Sequence, residues 1–189
     1  MQYVFFDCET TGLDHQNHEL ISYALILHVD SKEIQRIYKK VNPEYLDRAD
    51  PEALKINKYD PQDWTDAISQ KKAAECLYNF FQTQTEFIIV GHNPCFDIRF
   101  AQTLINRYYS DFKITKRVID TKHLALAALF PLGLTSCKMD NIRKFLNWPL
   151  ENAHNALQDA LCTKDLFYLC RKDLKKLEWK IPEDAIEYT

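Results

Sequence analysis

The sequence predicts an α/β protein in which helices flank a mixed sheet of about five strands. Three β-rich apolar runs follow one another near the N-terminus, and farther along short apolar runs alternate with segments of helical periodicity. The chain has 189 residues, of which 46% are hydrophobic, so it can bury a core without disulfides or structural metals. We therefore expect a single domain over residues 1–189.

The first three strands are predicted at Tyr3–Asp7, Leu20–Val29 and Ile34–Val41, which are rich in β-branched and aromatic residues. The short polar segment Asp30–Lys32 between the second and third runs is typical of a tight hairpin. These strands should therefore form an antiparallel meander. The pattern alone does not give the order of all five strands in the sheet.

The rest of the chain begins with a long irregular loop at Asn42–Trp64, which contains three prolines and one predicted helical turn near Pro51–Ile56. Two further short strands are then predicted at Phe87–Val90 and Arg117–Asp120. Helical spacing of apolar residues predicts the following helices: Lys71–Phe81, Pro94–Tyr109, His123–Phe130, Met139–Leu146 and Ala156–Leu174.

Composition excludes several classes of protein. The net charge of −3 argues against a protein that coats nucleic acid by counterion release, although it allows local binding of a few phosphates. No apolar stretch approaches the roughly 20 residues that span a bilayer, and the N-terminus lacks the pattern of a signal peptide. We therefore expect a cytoplasmic protein without a membrane partner. The six cysteines show no metal-ligand spacing, which favours reduced structural thiols.

Two acidic residues, Asp7 and Glu9, stand at the end of the first apolar run. Side chains two apart on a strand point to the same face, so the two carboxylates should emerge side by side from the core. Like charges this close are kept ionised by a cation between them, and oxygen ligands favour Mg²⁺ or Mn²⁺. The alternative is a strand end that simply turns into solvent.

A second acidic position, Asp97, follows the predicted strand at Phe87–Val90. Asn93 is a good N-cap residue and Pro94 suits the first helical position, so Asp97 should lie about one turn into a helix. Its carboxylate would then project near the end of the strand. The alternative is a favourable interaction with the helix dipole only.

A third cluster contains His154 and Asp159 at the start of the last predicted helix. Within one helix, five positions separate two side chains by about 140° around the axis, so they would not share a face. If His154 instead precedes the helix, on the loop after Pro149, it can approach Asp159. An isolated histidine is more often a surface or core residue, and only its neighbouring carboxylates favour a functional role.

Glycine placement supports the same grouping. The chain has only three glycines, and Gly12 and Gly91 lie in the first two of these segments. Glycine permits close approach of a ligand to the backbone. The turn Thr10–Leu13 could offer backbone N–H groups to a phosphate or a terminal sugar hydroxyl.

Three segments, FFDCETTGL, GHNPCFDIRFA and HNALQDALCT, resemble in order the three exonuclease motifs of the DnaQ-like DEDD 3′–5′ exonucleases. Four residues separate His154 from Asp159. This spacing resembles that of the histidine (DEDDh) branch of the family, since the tyrosine branch would place a tyrosine at Asn155. The family includes proofreading subunits of DNA polymerases, RNase T and oligoribonuclease. The resemblance implies the ribonuclease H-like fold, which agrees with the predicted sheet.

The resemblance also implies a function for each motif. The expected enzyme uses two Mg²⁺ or Mn²⁺ ions and releases nucleoside 5′-monophosphates from a 3′ end. The catalytic residues implied are the metal ligands Asp7, Glu9, Asp97 and Asp159, with His154 as the general base. The substrate-binding residues implied are Thr10, Thr11, Gly12, Leu13, Asn93 and Phe96, of which Leu13 and Phe96 would pack around the terminal nucleotide. Asp120 would mark the fifth strand rather than the site.

The implied partner is a nucleic acid with a free 3′ end, single-stranded DNA or RNA, and a DNA polymerase or a second copy of the chain is also compatible. No residue identifies a reader of the 2′-hydroxyl, so DNA and RNA both remain candidates. A proofreading subunit is one alternative. A non-catalytic module that binds nucleic-acid ends is another, although it would be expected to have lost an acidic ligand. A non-haem iron oxygenase would need two histidines and one carboxylate, for which the sequence has no matching motif.

Overall fold

In the computed structural model, residues 1–114, 117–150 and 154–174 are described, except for the side chains of residues 173 and 174. Within these residues the chain forms one five-stranded sheet and six α-helices. The strands are β1 (Gln2–Thr10), β2 (Leu20–Val29), β3 (Lys32–Lys40), β4 (Phe87–Gly91) and β5 (Val118–Asp120). The helices are α1 (Pro51–Ile56), α2 (Gln70–Thr83), α3 (Pro94–Tyr108), α4 (Thr121–Leu129), α5 (Met139–Phe145) and α6 (Ala156–Leu174).

The sheet has the order β3-β2-β1-β4-β5. The first three strands pair antiparallel, whereas β1 pairs parallel with β4, and β4 with β5. The predicted meander is therefore confirmed. Asp30 and Ser31, which connect β2 to β3, both have positive φ values, 48° and 69°, as a two-residue turn of type I′ requires.

The predicted elements match the structure closely, but the cap of α3 does not form as expected. Asn93 occupies the N-cap position, yet its side chain makes no capping hydrogen bond and its φ is 79°. The turn from β4 into α3 is so short that the chain passes through the left-handed region, which asparagine tolerates better than most residues. The backbone N–H of Asn93 instead donates to Asp120 Oδ1 at 3.2 Å.

Alternate side chains of β1 belong to two different cores. Tyr3 and Phe5 pack in a cluster with Ala156, Ala160 and Phe167 of α6. Val4, Phe6 and Cys8 instead pack in the larger cluster formed with α2 and α3. Because side chains two apart on a strand point to the same face, Asp7 and Glu9 lie on the same face of β1 as Phe5, the face toward α6.

The structure also bears on the predictions about the cysteines and about membrane-spanning segments. All six cysteines are free thiols, as predicted, although Cys95 is exposed rather than buried. No helix among the described residues is long and apolar enough to cross a membrane.

Candidate active site

The strand β1 delivers the first two carboxylates of the site. Asp7 and Glu9 are both half-buried, and each is paired across the sheet with β2, Asp7 with Ala24 and Glu9 with Ser22. The register of β1 against β2 shifts immediately after Glu9. Such an irregularity bends a strand, and it ends regular pairing at the point where the carboxylates emerge.

The third carboxylate comes from the first turn of α6. Oxygen atoms of Asp7, Glu9 and Asp159 all lie within 4.8 Å of one another, a spacing that one metal ion can bridge. The packing of Ala156 and Ala160 against the sheet holds this end of α6 close to β1, because small side chains permit close approach. The structure therefore brings together three of the four predicted metal ligands.

The fourth predicted ligand, Asp97, lies beside this group but is held differently. Its side chain is only 4% exposed, and its Oδ1 accepts a hydrogen bond from the backbone N–H of Cys8 at 2.9 Å. Cys8 lies between Asp7 and Glu9, so the carboxylate of Asp97 is fixed against the strand that carries both. Its place in the first turn of α3 is the one predicted.

The carboxylates strongly perturb one another. Burial, followed by the charge of Asp97 and then that of Glu9, raises the pKa of Asp7 well above its usual value. Burial and the charges of Asp159 and Asp97 raise the pKa of Glu9 to about 8. Burial raises the pKa of Asp97 to about 7, despite its hydrogen bonds with Cys8. Burial also raises the pKa of Asp159.

These residues fit a divalent cation. Four carboxylates in one cluster, one buried and three half-buried, are unfavourable when ionised, and a cation among them removes the repulsion that raises their pKa values. The donors are all oxygens, which suit hard cations. Three of them already present oxygens within reach of a common ion.

His154 precedes α6, as predicted, and is exposed. Its φ is 62°, and its backbone N–H donates to Asp159 Oδ2 at 2.9 Å. His154 contributes to a cavity of about 150 Å³ whose wall also includes Asp7 and Asp159. The side chain is therefore placed beside the carboxylates, while the contact that holds it there is made by its backbone.

Four other residues complete the wall of this cavity: His92, Met139, Asp140 and Thr163. His92 is part of the second motif, but both of its ring nitrogens have partners. Nδ1 lies 3.0 Å from Thr121 Oγ1, and Nε2 lies 2.8 Å from the carbonyl of Cys137. His92 therefore ties two loops together at the edge of the site.

Sequence reasoning missed Arg143, whose side chain is only 2% exposed. Its Nη1 lies 3.8 Å from Asp159 Oδ1, and its Nε donates to the carbonyl of Pro149 at 2.7 Å. A signal was available in the sequence. Met139, Ile142 and Leu146 predict the apolar face of a helix, and Arg143 occupies the remaining position of that i, i+3, i+4, i+7 pattern.

The predicted substrate-binding turn after β1 is closely packed against the protein itself. Thr10 Oγ1 donates to the carbonyl of Gly12 at 2.6 Å, and Thr11 Oγ1 accepts from the backbone N–H of Glu19 at 2.8 Å. A Cβ on Gly12 would lie 2.5 Å from the imidazole of His18. A larger residue at this position would therefore displace His18, so the protein's own packing favours glycine here. Leu13, in contrast, is 80% exposed.

Asn57 was also missed. It ends α1, and its side-chain amide donates to the carbonyl of Thr10 at 2.8 Å. The long loop after β3 thereby contacts the end of β1.

The predicted substrate contacts from the second motif lie near the start of α3. Phe96 is half-buried and packs on Phe100, with the ring centroids 4.9 Å apart. Asn93 is exposed. A Cβ on Gly91 would lie 2.7 Å from Pro94 Cβ, so this glycine too is required by the protein's own packing.

The sequence was compared with known protein families. The family model RNase_T, described as exonuclease, matches residues 4–167. The chain belongs to this exonuclease family. The motif resemblance to DnaQ-like exonucleases is thereby confirmed.

Relatives of this exonuclease include a ribonuclease T and polymerases. It is 28% identical over 197 residues to ribonuclease T of Wigglesworthia glossinidia brevipalpis, an alignment that covers 96% of this chain and 90% of the relative. It is 30% identical over 178 residues to the PolC-type DNA polymerase III of Lacticaseibacillus paracasei. That match covers 93% of this chain but only 12% of the polymerase.

Solved structures show the same fold. The exonuclease resembles E. coli exonuclease I in complex with a dT13 oligonucleotide, with a TM-score of 0.78 and 21% identity. The match covers 93% of this chain and 42% of exonuclease I. The predicted ribonuclease H-like fold, a mixed five-stranded sheet flanked by helices, is confirmed.

Proposed function

We propose that this exonuclease hydrolyses the phosphodiester bond nearest the 3′ end of DNA or RNA and releases nucleoside 5′-monophosphates. The observation that carries the proposal is the convergence of Asp7, Glu9 and Asp159 within 4.8 Å, with Asp97 fixed beside them. Membership of the exonuclease family supports the same reaction. The residues of all three motifs thus meet at one end of β1.

The carboxylates would hold two Mg²⁺ or Mn²⁺ ions. Such a pair, about 3.5–4 Å apart in two-metal enzymes, activates a water molecule and stabilises the charge on the leaving oxygen. Asp7, Glu9 and Asp159 present their oxygens to a common point, and Asp97 adds a charge close to Asp7. A single ion would leave much of this negative charge without a partner.

His154 would act as the general base. Imidazole has an unperturbed pKa of about 6.5, so it can accept the proton of the attacking water near neutral pH. His154 lines the same cavity as Asp7 and Asp159, where that water would lie. The backbone contact of His154 with Asp159 keeps the residue beside the site without engaging the ring nitrogens.

The terminal nucleotide would bind on the side of the turn after β1. Among the described residues, no hydrogen bond is formed by the backbone N–H groups of Gly12 or Leu13, which can therefore donate to the 3′-terminal sugar. The exposed Leu13 and the half-buried Phe96 supply apolar surface for the base. Thr10, Thr11 and Asn93 would shape this subsite through the backbone.

The decisive experiment digests single-stranded DNA and RNA that carry a label at either end, in the presence of Mg²⁺, Mn²⁺ or EDTA. We expect a 3′ label to leave at once as a mononucleotide, and a 5′-labelled strand to shorten stepwise. EDTA should stop the reaction and added Mn²⁺ should restore it. The Asp7→Asn variant, which keeps side-chain shape and loses charge, should be inactive. Cleavage that resists the chelator, or that releases the 5′ label first, contradicts the proposal.

A second candidate is proofreading within a polymerase assembly, which the PolC-type relatives favour. Such an enzyme should remove a mismatched 3′ nucleotide from a primer–template faster than a paired one. Equal rates on the two primers would contradict a proofreading role and support only a general exonuclease activity.

A further inference from the structure

We propose that Arg143 is a positioning residue of the active site, whose guanidinium fixes the carboxylate of Asp159 relative to the backbone carbonyl of Pro149. The inference rests on the proposed function, in which Asp159 is a metal ligand and His154 is the base. Arg143 itself would touch neither substrate nor metal.

The position of Arg143 is unusual for a charged residue. Its side chain is 2% exposed and lies on α5 next to Ile142, which is fully buried. Removing a guanidinium from water is costly unless charged and polar partners surround it. Its partners should therefore explain why the protein retains it.

Two of those partners belong to different segments of the chain. Nε and Nη2 both donate to the carbonyl oxygen of Pro149, while Nη1 lies 3.8 Å from Asp159 Oδ1. The guanidinium is planar and carries its donors in a rigid fork. One cation therefore fixes the distance between a backbone carbonyl and a carboxylate.

The contacts form a continuous series from Pro149 through Arg143 and Asp159 to His154. Asp159 Oδ1 faces Arg143, and Asp159 Oδ2 accepts the backbone N–H of His154 at 2.9 Å. Pro149, whose carbonyl Arg143 binds, lies five positions before His154 in the sequence. Asp159 therefore contacts Arg143 through one carboxylate oxygen and the backbone of His154 through the other, so a shift of Asp159 would also affect His154.

This arrangement predicts which kinetic parameter depends on Arg143. The residue lies behind Asp159, outside the group that lines the cavity with Asp7 and His154. Its loss would displace a ligand and the base, which act in the chemical step, and displacement of a reacting group by about 1 Å can cost about 100-fold. Substrate binding at the turn after β1 would change little.

A neighbouring pocket makes a specific test feasible. Arg143 forms part of the wall of a pocket of about 300 Å³, together with Trp148, Gln158 and Leu161. In an Arg143→Ala variant, a guanidinium ion from solution could enter through this pocket and occupy the same place. Such chemical rescue depends on the cation itself, and a general loss of folding would not show it.

The experiment compares kcat and KM of the wild type, Arg143→Lys and Arg143→Ala on one 5′-labelled oligonucleotide. Both variants should lose about 10- to 100-fold in kcat with KM changed less than about threefold. Guanidinium chloride below denaturing concentration should restore at least a tenth of wild-type kcat to Arg143→Ala, whereas equal NaCl should not. Lys144→Ala, which removes the adjacent exposed cation of α5, is the matched control and should behave as wild type.

Calorimetry with Mn²⁺ alone supplies a readout that is independent of cleavage. Residues that orient metal ligands typically contribute 10- to 100-fold to metal affinity, so Arg143→Lys should bind Mn²⁺ at least about tenfold more weakly than the wild type. If Arg143→Ala does not fold, Arg143→Lys decides. Wild-type kcat and Mn²⁺ affinity in Arg143→Lys, or no rescue of a folded Arg143→Ala, would overturn the inference. A wild type that binds Mn²⁺ but cleaves nothing contradicts the proposed function instead.

Discussion

The buried carboxylate of Asp97 accepts a hydrogen bond from the backbone N–H of Cys8, at 2.9 Å, between the two acidic residues of β1. This contact joins α3 to the catalytic strand over 89 positions of sequence. It gives Asp97 two separable properties. The oxygen satisfies a buried N–H, and the charge contributes to the cluster.

Asp97→Asn should separate these two properties. The amide oxygen of asparagine can still accept from Cys8, so the variant should melt within a few degrees of the wild type and yet show no exonuclease activity. Asp97→Ala leaves the buried N–H without its acceptor, which costs about 1–3 kcal/mol. Differential scanning calorimetry should therefore show a clearly lower melting temperature for Asp97→Ala only. Substantial activity in Asp97→Asn would exclude this residue from the metal site.

The pH dependence of stability should show the carboxylate repulsion. Glu9 has its pKa raised to about 8 and Asp97 to about 7 in the folded protein, whereas both titrate near 4 when unfolded. As the pH rises from about 4 to about 8, the unfolded state loses these protons first, so the metal-free protein becomes less stable. A bound divalent cation favours the ionised form and reverses this loss. We expect Mg²⁺ to raise the melting temperature more at pH 8 than at pH 5.5.

Glu9→Gln provides the control for that measurement. Without the ionisable group, the metal-free variant should lose less stability between pH 5.5 and pH 8 than the wild type. Its melting temperature should also respond less to Mg²⁺. An equal Mg²⁺ effect at both pH values in the wild type is the result that contradicts the prediction.

His154 should be needed for catalysis but not for metal binding. We choose His154→Asn because asparagine tolerates the φ of 62° at this position and keeps the backbone N–H that binds Asp159. Loss of a general base typically lowers kcat by about 10²–10⁴-fold. Mn²⁺ affinity, measured by calorimetry, should stay within about threefold of the wild type. The exposed His123 offers a matched control, and His123→Asn should leave kcat unchanged.

Lys58 should contribute to binding of the strand. It lines a cavity of about 240 Å³ together with Lys40, Trp64 and His154. A lysine beside the site can bind a phosphate, so Lys58→Ala should raise KM for oligonucleotides and lower the dependence of log KM on log salt by up to about one unit. Lys55→Ala is the control, because Lys55 lies one turn earlier on α1 and outside this cavity. If the two substitutions changed KM equally, the change would result from net charge alone, and the prediction would be contradicted.

The sequence predicted the elements well because strong periodic signals define them. The strand Leu20–Val29 and the helix Ala156–Leu174 were predicted with their observed bounds. The strand order was not predictable, since it depends on tertiary pairing of β1 with both β2 and β4. Asn93 was correctly predicted at the N-cap position, but the absence of a side-chain capping bond was not, because residue preference does not show that the connection between β4 and α3 requires a left-handed residue.

The acidic residues of the site were predictable, whereas their supports were not. Asp7 and Glu9 can be recognised from the sequence because they are acidic residues at the end of an apolar strand. Helical spacing indicates that Arg143 lies on the apolar face of α5, but its contacts with Asp159 and Pro149 depend on the tertiary structure, which no local pattern reports. Asn57 likewise contacts Thr10 across 47 positions of sequence.

The alternation of β1 has a consequence for how this enzyme can vary. Tyr3 and Phe5 share a face with Asp7 and Glu9, so inserting one residue near the start of the strand would rotate one set against the other. Either the aromatic rings would leave their core, or the two acidic side chains would turn toward the core on the opposite face of the sheet. The same alternation of side chains along β1 therefore places both the acidic residues of the site and the buried aromatic residues. A longer turn at the exposed residues Asp30 and Ser31, in contrast, would leave the alternation of β1 unchanged.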